Sequence, residues 1–417
     1  MGIHEKMDVE FPDLTDPRSF VEAVPHEAFA RMRALPGLYW QPTNLGTANG
    51  GFWAVTRFAD ILAVEKDTDA FTSTRGGSYP GMNQSPEVAG MSADNLMMTD
   101  PPRHSHLRRA AAKGFGPRVV ANFEPWVRDI VNDVLDRLET LDEFDYVEEV
   151  ARTVPARVVA RVLGTPREDE DQLVKWALMT FEALQETVNL PEGTHMIRGL
   201  HKVMMEVMPY AEKIQKIKRE HPADDMFTEL GACVDRGELT QSEFFNWMFL
   251  MMVAGFETTH TAIGQSMRMY LENPTVAERT ERAIREGIAS RAVDEFVRMI
   301  SPPMEMARTA TRDMDFAGEK IRKDDVMVLY FTSANRDAAV FKNPDEFDPW
   351  RTETDTLAFG SGVHRCIGAY LANLELRVLW EEIHKRKIKL ELNGTPKRGW
   401  SVFINQITAL PVRRVAS

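Results

Sequence analysis

The chain has two cysteines, Cys233 and Cys366, and one of them stands where a sulfur could do chemistry. It closes the stretch Phe359-Gly360-Ser361-Gly362-Val363-His364-Arg365-Cys366-Ile367-Gly368. A helical pattern follows at once through Ala369, Leu371, Leu374, Leu376, Val378, Leu379 and Ile383. Glycines let a backbone turn tightly and approach a flat object closely. A cysteine at the N-terminus of a helix faces free N–H groups and the positive end of the helix dipole, which favour a thiolate over a thiol. A thiolate so held is a ligand for haem iron and pushes electron density toward the metal, favouring O–O cleavage. Cys233 lies at the end of a predicted helix in Glu229-Leu230-Gly231-Ala232-Cys233-Val234 and reads as structural.

A second constellation lies far upstream. Thr240-Gln241-Ser242-Glu243 is a capping box opening a helical run to about Glu272, stopped by Asn273-Pro274. At 1.5 Å per residue the run is roughly 50 Å long, enough to cross a whole domain. Its middle, Ala254-Gly255-Phe256-Glu257-Thr258-Thr259, breaks helix rules with a glycine, two threonines and an acid in an apolar segment. Local rules broken in a buried segment point to function. A third string, Asp100-Pro101-Pro102-Arg103-His104-Ser105-His106-Leu107-Arg108-Arg109, opens a helix with two prolines. It places His104 and Arg108 four apart on one face, where the pair can grip carboxylates.

Other segments complete the pattern: Asp294-Glu295-Phe296-Val297-Arg298, Ser301-Pro302-Pro303-Met304-Glu305-Met306-Ala307-Arg308, Phe341-Lys342-Asn343-Pro344-Asp345-Glu346-Phe347-Asp348-Pro349-Trp350-Arg351 and Trp400 to Val412. A lone Glu-x-x-Arg would be a surface ion pair worth under ~1 kcal/mol. Taken together and in this order, over roughly residues 50–412, the strings resemble the cytochrome P-450 family of soluble bacterial haem-thiolate monooxygenases.

That resemblance implies a mainly α fold with a small β lobe, a triangular prism whose long central helix crosses the haem. It implies haem b (iron protoporphyrin IX), with Cys366 as the axial iron ligand and His104, Arg108, Arg308 and His364 as a cationic cage for the two propionates. Phe359, Gly360, Gly368 and Ala254 are expected to border the cofactor. Glu257 and Thr258 take the place of the family's proton-delivery pair, with Ala254 and Gly255 leaving room for the haem face and O2. Glu295, Arg298 and Arg351 take the place of a structural network beneath the cysteine loop. Substrate contacts are expected from Met97, Met98, Met251, Met252, Gly255, Met304, Glu305, Phe403 and Ile404. Glu305 departs from the family's usual apolar or neutral choice, and the expectation is that it points to solvent; a carboxyl near an apolar pocket would have a raised pKa.

Coarser features fit around these strings. A helical piece near His26 to Leu35 precedes a hairpin at Tyr39-Trp40 and Phe52 to Val55, and a helix starts after Thr56. The connection 72–97, rich in Gly, Ser, Pro and Asn, has the length of a functional loop and with Met98 carries Tyr79, Met82, Met91, Leu96 and Met97. The resemblance makes it a cover over the substrate. Residues 119–220 read as helices broken at Gly164-Thr165-Pro166 and at 189–193, the second break separating two lid helices. Trp176, Met179, Phe181 and Leu184 read equally as pocket or core residues. Other β-rich parts are expected near 302–331 and 386–412.

Composition bounds the rest. The 417 residues are read as a single catalytic domain, 1–417, with no fused reductase. A net charge of −13 gives no global support for nucleic-acid binding. Two cysteines exclude a disulfide framework and point to the cytoplasm, and the N-terminus has no apolar run for a leader or membrane anchor. The 23 methionines suit an adaptable apolar pocket. The expected reaction is insertion of one atom of O2 into a C–H bond of a hydrophobic small molecule (terpenoid, steroid, alkyl or aromatic hydrocarbon) by a monomer. Electrons would come from a separate iron–sulfur ferredoxin and its NAD(P)H-dependent reductase. Arg109, Lys113, Arg118, Lys342, Arg365 and Arg377 are candidates for its docking face. The alternatives are a peroxygenase driven by hydrogen peroxide and a non-catalytic haem carrier or sensor; neither accounts for Glu257 beside Thr258.

Overall fold

The computed structural model describes residues 11–75, 94–177, 179 and 194–415. Helices dominate. The helix Gln241–Glu272 runs through them, packed against Thr153–Leu163, Ala289–Ile300 and Ala369–Lys385. It begins as its capping box predicts: Glu243 N–H donates to Thr240 Oγ1 at 3.2 Å, and Thr240 N–H donates to Glu243 Oε2 at 2.6 Å. Asn273 ends it and caps the following helix, Pro274–Arg285, through Oδ1. One large apolar core surrounds its buried face, with Phe244, Trp247, Met248, Phe256 and Ile263 packing on Val158, Phe296 and Leu379.

The β structure is small and mostly assembled from distant segments. A five-stranded sheet has the order Tyr39–Pro42, Gly51–Val55, Val326–Tyr330, Glu305–Ala310, Phe71–Thr72. The first two strands form the expected hairpin, Tyr39 opposite Ala54. Gly51–Val55 then pairs in parallel with Val326–Tyr330, which pairs antiparallel with Glu305–Ala310. Gly51–Val55 and Val326–Tyr330 are buried along their whole length, which suits their apolar runs. One face packs on helix Phe58–Lys66 through Trp53, Ile61, Met327 and Leu329. The other packs on the N-terminal helices through Phe20, Phe29, Met32, Ala54, Val328 and Tyr330.

A three-stranded sheet goes beyond what the sequence pattern predicts. Glu143–Asp145 interrupts the stretch read as continuously helical and pairs with Pro411–Arg414, which also pairs with Leu390–Leu392. Three residues are too few for an alternation signal, and their partner lies some 270 positions away. The first helical break behaves as read: Gly164 ends Thr153–Leu163 at φ +82. The second break, with Phe181 and Leu184, lies outside the described residues, as do Tyr79, Met82 and Met91.

Candidate active site

Cys366 sits where its loop turns into helix Ala369–Lys385, with its N–H donating to Phe359 O at 2.8 Å. Two glycines make the turn possible. Gly360 and Gly362 hold φ of +63 and +60, and a Cβ on Gly362 would lie 2.5 Å from Glu65 O. The loop is thus pressed onto helix Phe58–Lys66. Glu65 fastens it further by accepting from Ser361 N at 2.8 Å and Ser361 Oγ at 2.7 Å. Sequence reasoning missed Glu65, which carries no motif of its own. Cys366 is exposed although protein surrounds it, so it lies in a recess of the surface. Burial raises its thiol pKa. Desolvation outweighs the N–H groups of Gly368 and Ala369 and the charges of Arg108 and Arg365, which all pull downward.

A cluster of basic groups gathers beside this loop. His104 is buried on helix Arg103–Ala112, and its ring lies 4.3 Å from that of His364. His364 Nε2 is 3.0 Å from Ser73 Oγ. Arg308 is buried on its strand and Arg108 is half-buried one turn beyond His104. The groups repel one another. Burial, then Arg108, pushes His104 down to about 4; burial, then Arg308, His104 and Arg108, pushes His364 down to about 2. Both ring nitrogens of His104 are buried without a hydrogen-bond partner among the described residues. Such a collection suits an anionic ligand that supplies the missing acceptors.

The central helix presents its acid and alcohol near its middle. Ala254 is exposed, which in the interior of a buried helix means that it lines a cavity. Thr258 is half-buried and donates its hydroxyl to Ala254 O at 2.7 Å. Glu257 is 3% exposed; its Oε1 accepts from Gln406 Nε2 at 3.1 Å, and its Oε2 lies 3.3 Å from His260 Nδ1. Sequence reasoning missed Gln406 and His260, because a glutamine 149 residues away and a histidine one helical turn on announce nothing by spacing. A Cβ on the half-buried Gly255 would lie 2.9 Å from Val159 Cγ2, so its missing side chain lets helix Thr153–Leu163 approach.

Glu295, Arg298 and Arg351 come together as a buried network. Arg298 bonds both carboxylate oxygens of Glu295 at 2.8 Å, and Arg351 Nε bonds both at 3.0 Å. Their remaining donors reach the carbonyls of Asn335, Pro344, Lys342 and Glu346.

Comparisons with known proteins give the family. The family description "Cytochrome P450" (written here P-450) matches residues 75–386. The chain belongs to the cytochrome P-450 family. It is 30% identical over 404 residues to the steroid C26-monooxygenase of Mycobacterium tuberculosis, covering 95% of this chain and 90% of that protein. It is 30% identical over 412 residues to the linalool 8-monooxygenase of Pseudomonas putida, covering 97% and 99%. A Mycobacterium marinum cytochrome P-450 solved with pseudoionone superposes with a TM-score of 0.86 at 26% identity, covering 99% of this chain and all of that one. This P-450 is therefore a monooxygenase of the haem b type.

Its residues fit that cofactor. A recessed sulfur, an exposed alanine on the central helix and a basic cluster with histidine nitrogens in need of acceptors could hold iron, a flat ring and two carboxylates. The expected substrate contacts of the P-450 divide. Met97 and Phe403 are half-buried; Met98, Met251, Met252 and Ile404 are buried. Met304, at 0% exposure, is enclosed by the cluster of Phe29, Tyr330 and Val402 and offers no surface to a ligand. Glu305 points neither to a cavity nor to solvent. It is 2% exposed, opposite Tyr330, and alternates with Ala307 toward the N-terminal helices, while Arg308 takes the other face. Burial raises its carboxyl to about 8, with the Tyr330 hydroxyl pulling down. Trp176 is core, its Nε1 donating to Glu206 at 2.7 Å. Cys233 is buried too. Among the candidate docking charges Arg377 is engaged internally by Glu124 and Glu381, whereas Arg109, Lys113, Arg118, Lys342 and Arg365 reach the surface. Among the described residues, no helix is long and apolar enough to cross a membrane.

Proposed function

We propose that this P-450 hydroxylates an apolar C–H bond of a terpenoid, steroid, alkyl or aromatic hydrocarbon substrate, with electrons from a separate ferredoxin and its NAD(P)H-dependent reductase. The observation that carries the reading is the buried Glu257 beside Thr258, one turn from the cavity-lining Ala254 on the central helix. When bound, the haem activates O2 with two electrons and two protons, places one oxygen atom in the substrate and releases the other as water.

The chain's own residues do the rest. Cys366 would ligate the iron, whose positive charge would offset the desolvation that raises the free thiol's pKa. His104, Arg108, Arg308 and His364 would hold the propionates, which would relieve their mutual repulsion and give the His104 ring a hydrogen-bond partner. With haem bound, the Thr258 hydroxyl, released from Ala254 O, would donate a proton on the cofactor side of the central helix, and Glu257 would hold the proton that resupplies it. Met97, Met98, Met251, Met252, Phe403 and Ile404 exclude water and hold the substrate by apolar contact. Glu295, Arg298 and Arg351 keep the cysteine loop's support in place. The names of the two relatives, a steroid and a linalool monooxygenase, favour isoprenoid compounds as the first screen. Arg109, Lys113, Arg118, Lys342 and Arg365 form a basic face for an acidic ferredoxin. We place the enzyme in the cytoplasm as a single-domain monomer.

The test is a carbon monoxide difference spectrum of the dithionite-reduced protein, followed by turnover. A strongly red-shifted Soret band that Cys366→Ala abolishes, and isoprenoid oxidation with ferredoxin and reductase but not with peroxide alone, are the expected results. A spectrum unchanged by Cys366→Ala would end the iron-ligand assignment. Product formation from peroxide alone would turn the reading to a peroxygenase.

A further inference from the structure

The geometry points to Gln406 as a positioning residue of the reaction, holding the Glu257 carboxylate from the C-terminal hairpin. This rests on the reading of Glu257 as the proton-delivering acid. Gln406 and Glu257 are both buried, and the Gln406 amide donates to Glu257 Oε1 at 3.1 Å. His260, at 0% exposure and stacked on Phe256, stands 3.3 Å from the other oxygen. Gln406 is therefore the hydrogen-bond donor that holds the acid, at Oε1, while Oε2 has no hydrogen-bond partner among the described residues and the Thr258 hydroxyl is bonded elsewhere, to Ala254 O.

Three features show that the hairpin is built to deliver this amide. The side chain of Gln406 lies across Gly399, where a Cβ would stand 1.9 Å from Gln406 Oε1 and 2.7 Å from its Cδ. Gly399 itself needs no unusual backbone, so the glycine serves as a notch for the carboxamide. The backbone is locked in place by Gly399 N–H to Gln406 O at 3.1 Å, Gln406 N–H to Ile404 O at 2.8 Å and Asn405 N–H to Pro302 O at 2.8 Å. A second tie runs to the same central helix, Gln265 Nε2 to Asn405 O at 2.9 Å. The turn that carries Gln406 also presents the half-buried Phe403. A hydrogen-bond donor fixed on one carboxylate oxygen sets the rotamer of the acid, so the direction of proton transfer depends on it.

The experiment uses haem-loaded protein with NADPH, a surrogate plant-type ferredoxin and its reductase, and no added substrate, so that substrate identity does not enter. Oxygen consumption and its solvent deuterium isotope effect are measured for wild type, Glu257→Gln, Gln406→Met, Gly399→Ala and the Glu257→Gln/Gln406→Met double variant. Gln406→Met keeps the volume and removes the donor; Gly399→Ala keeps the glutamine and displaces it. Expected are a tenfold or greater slowing in Glu257→Gln, a several-fold slowing with a larger isotope effect in Gln406→Met and Gly399→Ala, and a double variant no slower than Glu257→Gln. Thermal midpoints of the same proteins give a readout independent of turnover, and there the two substitutions should lower the midpoint less together than the sum of their separate shifts. A wild-type rate and isotope effect in Gln406→Met beside a slowed Glu257→Gln would overturn the role of Gln406, as would additive losses in either measurement. A wild-type rate in Glu257→Gln would instead overturn the acid itself, whatever the thermal coupling.

Discussion

The Thr258 hydroxyl can serve dioxygen only by leaving Ala254 O, a bond of 2.7 Å that costs little to exchange for another acceptor. Thr258→Ala should therefore fold and bind substrate as the wild type does, judged by the spectral shift of the resting haem. The yield of product per NAD(P)H should fall several-fold in favour of peroxide; an unchanged yield would remove the threonine from proton delivery. Glu305 supplies a second prediction at this scale. Its folded pKa of about 8 lies above the ordinary carboxylate value because burial penalises the charge. Such a group contributes stability that is fully present below its unfolded pKa and is lost as pH rises through that value to the folded one. Glu305→Gln has no such proton to lose. The denaturation free energy of the wild type should fall relative to this variant by on the order of 4 kcal/mol between about pH 4.5 and 8, and run parallel to it above that. Parallel curves from pH 4.5 upward would mean that Glu305 ionises freely.

At the scale of elements, the cysteine loop owes its shape to the helix beneath it. Gly362 combines a φ of +60 with only 2.5 Å between the place a Cβ would take and Glu65 O, a backbone atom that cannot rotate away. Gly50 has a similar φ of +75 with open space around it. Gly362→Ala should thus cost roughly 2–4 kcal/mol, from conformational strain and displacement of the loop, while Gly50→Ala should cost about 1 kcal/mol. Chemical denaturation of both proteins and their haem content after purification check this; equal costs would show that the loop is not pressed against helix Phe58–Lys66. Glu65 stands in the same contact, and its bonds to Ser361 make the helix and the loop one unit.

Over the whole molecule, the Glu295 network joins segments far apart in the chain. Helix Ala289–Ile300 supplies Glu295 and Arg298, and Arg351 arrives from a loop 56 residues on from Glu295. Both guanidiniums bond the same carboxylate and also stand near Phe341, at 5.1 and 5.9 Å from its ring centre. Removing the acid leaves two buried cations facing each other. Glu295→Ala should cost about 3–5 kcal/mol or prevent the folded holoprotein from accumulating. Fluorescence-monitored denaturation reads the first outcome and haem recovery the second; a loss under about 1 kcal/mol would reduce the network to an ordinary surface pair.

The sequence by itself determined the family and singled out the groups from which the proposed site is built. Cys366, His104 with Arg108, Glu257 with Thr258 and the capping box at Thr240 are local strings, and their spacing along a turn or helix carries their meaning. The tertiary structure alone decided what stands opposite them. Glu65 under the loop, Gln406 and His260 on the acid, Val159 in the space beside Gly255 and the strand Glu143–Asp145 all depend on partners brought together by folding. Charge and exposure follow the same division. Glu305 is buried where the sequence suggests solvent, and that burial raises its carboxyl pKa. Desolvation is a property of the surrounding protein and is not written in the residue or its neighbours in sequence.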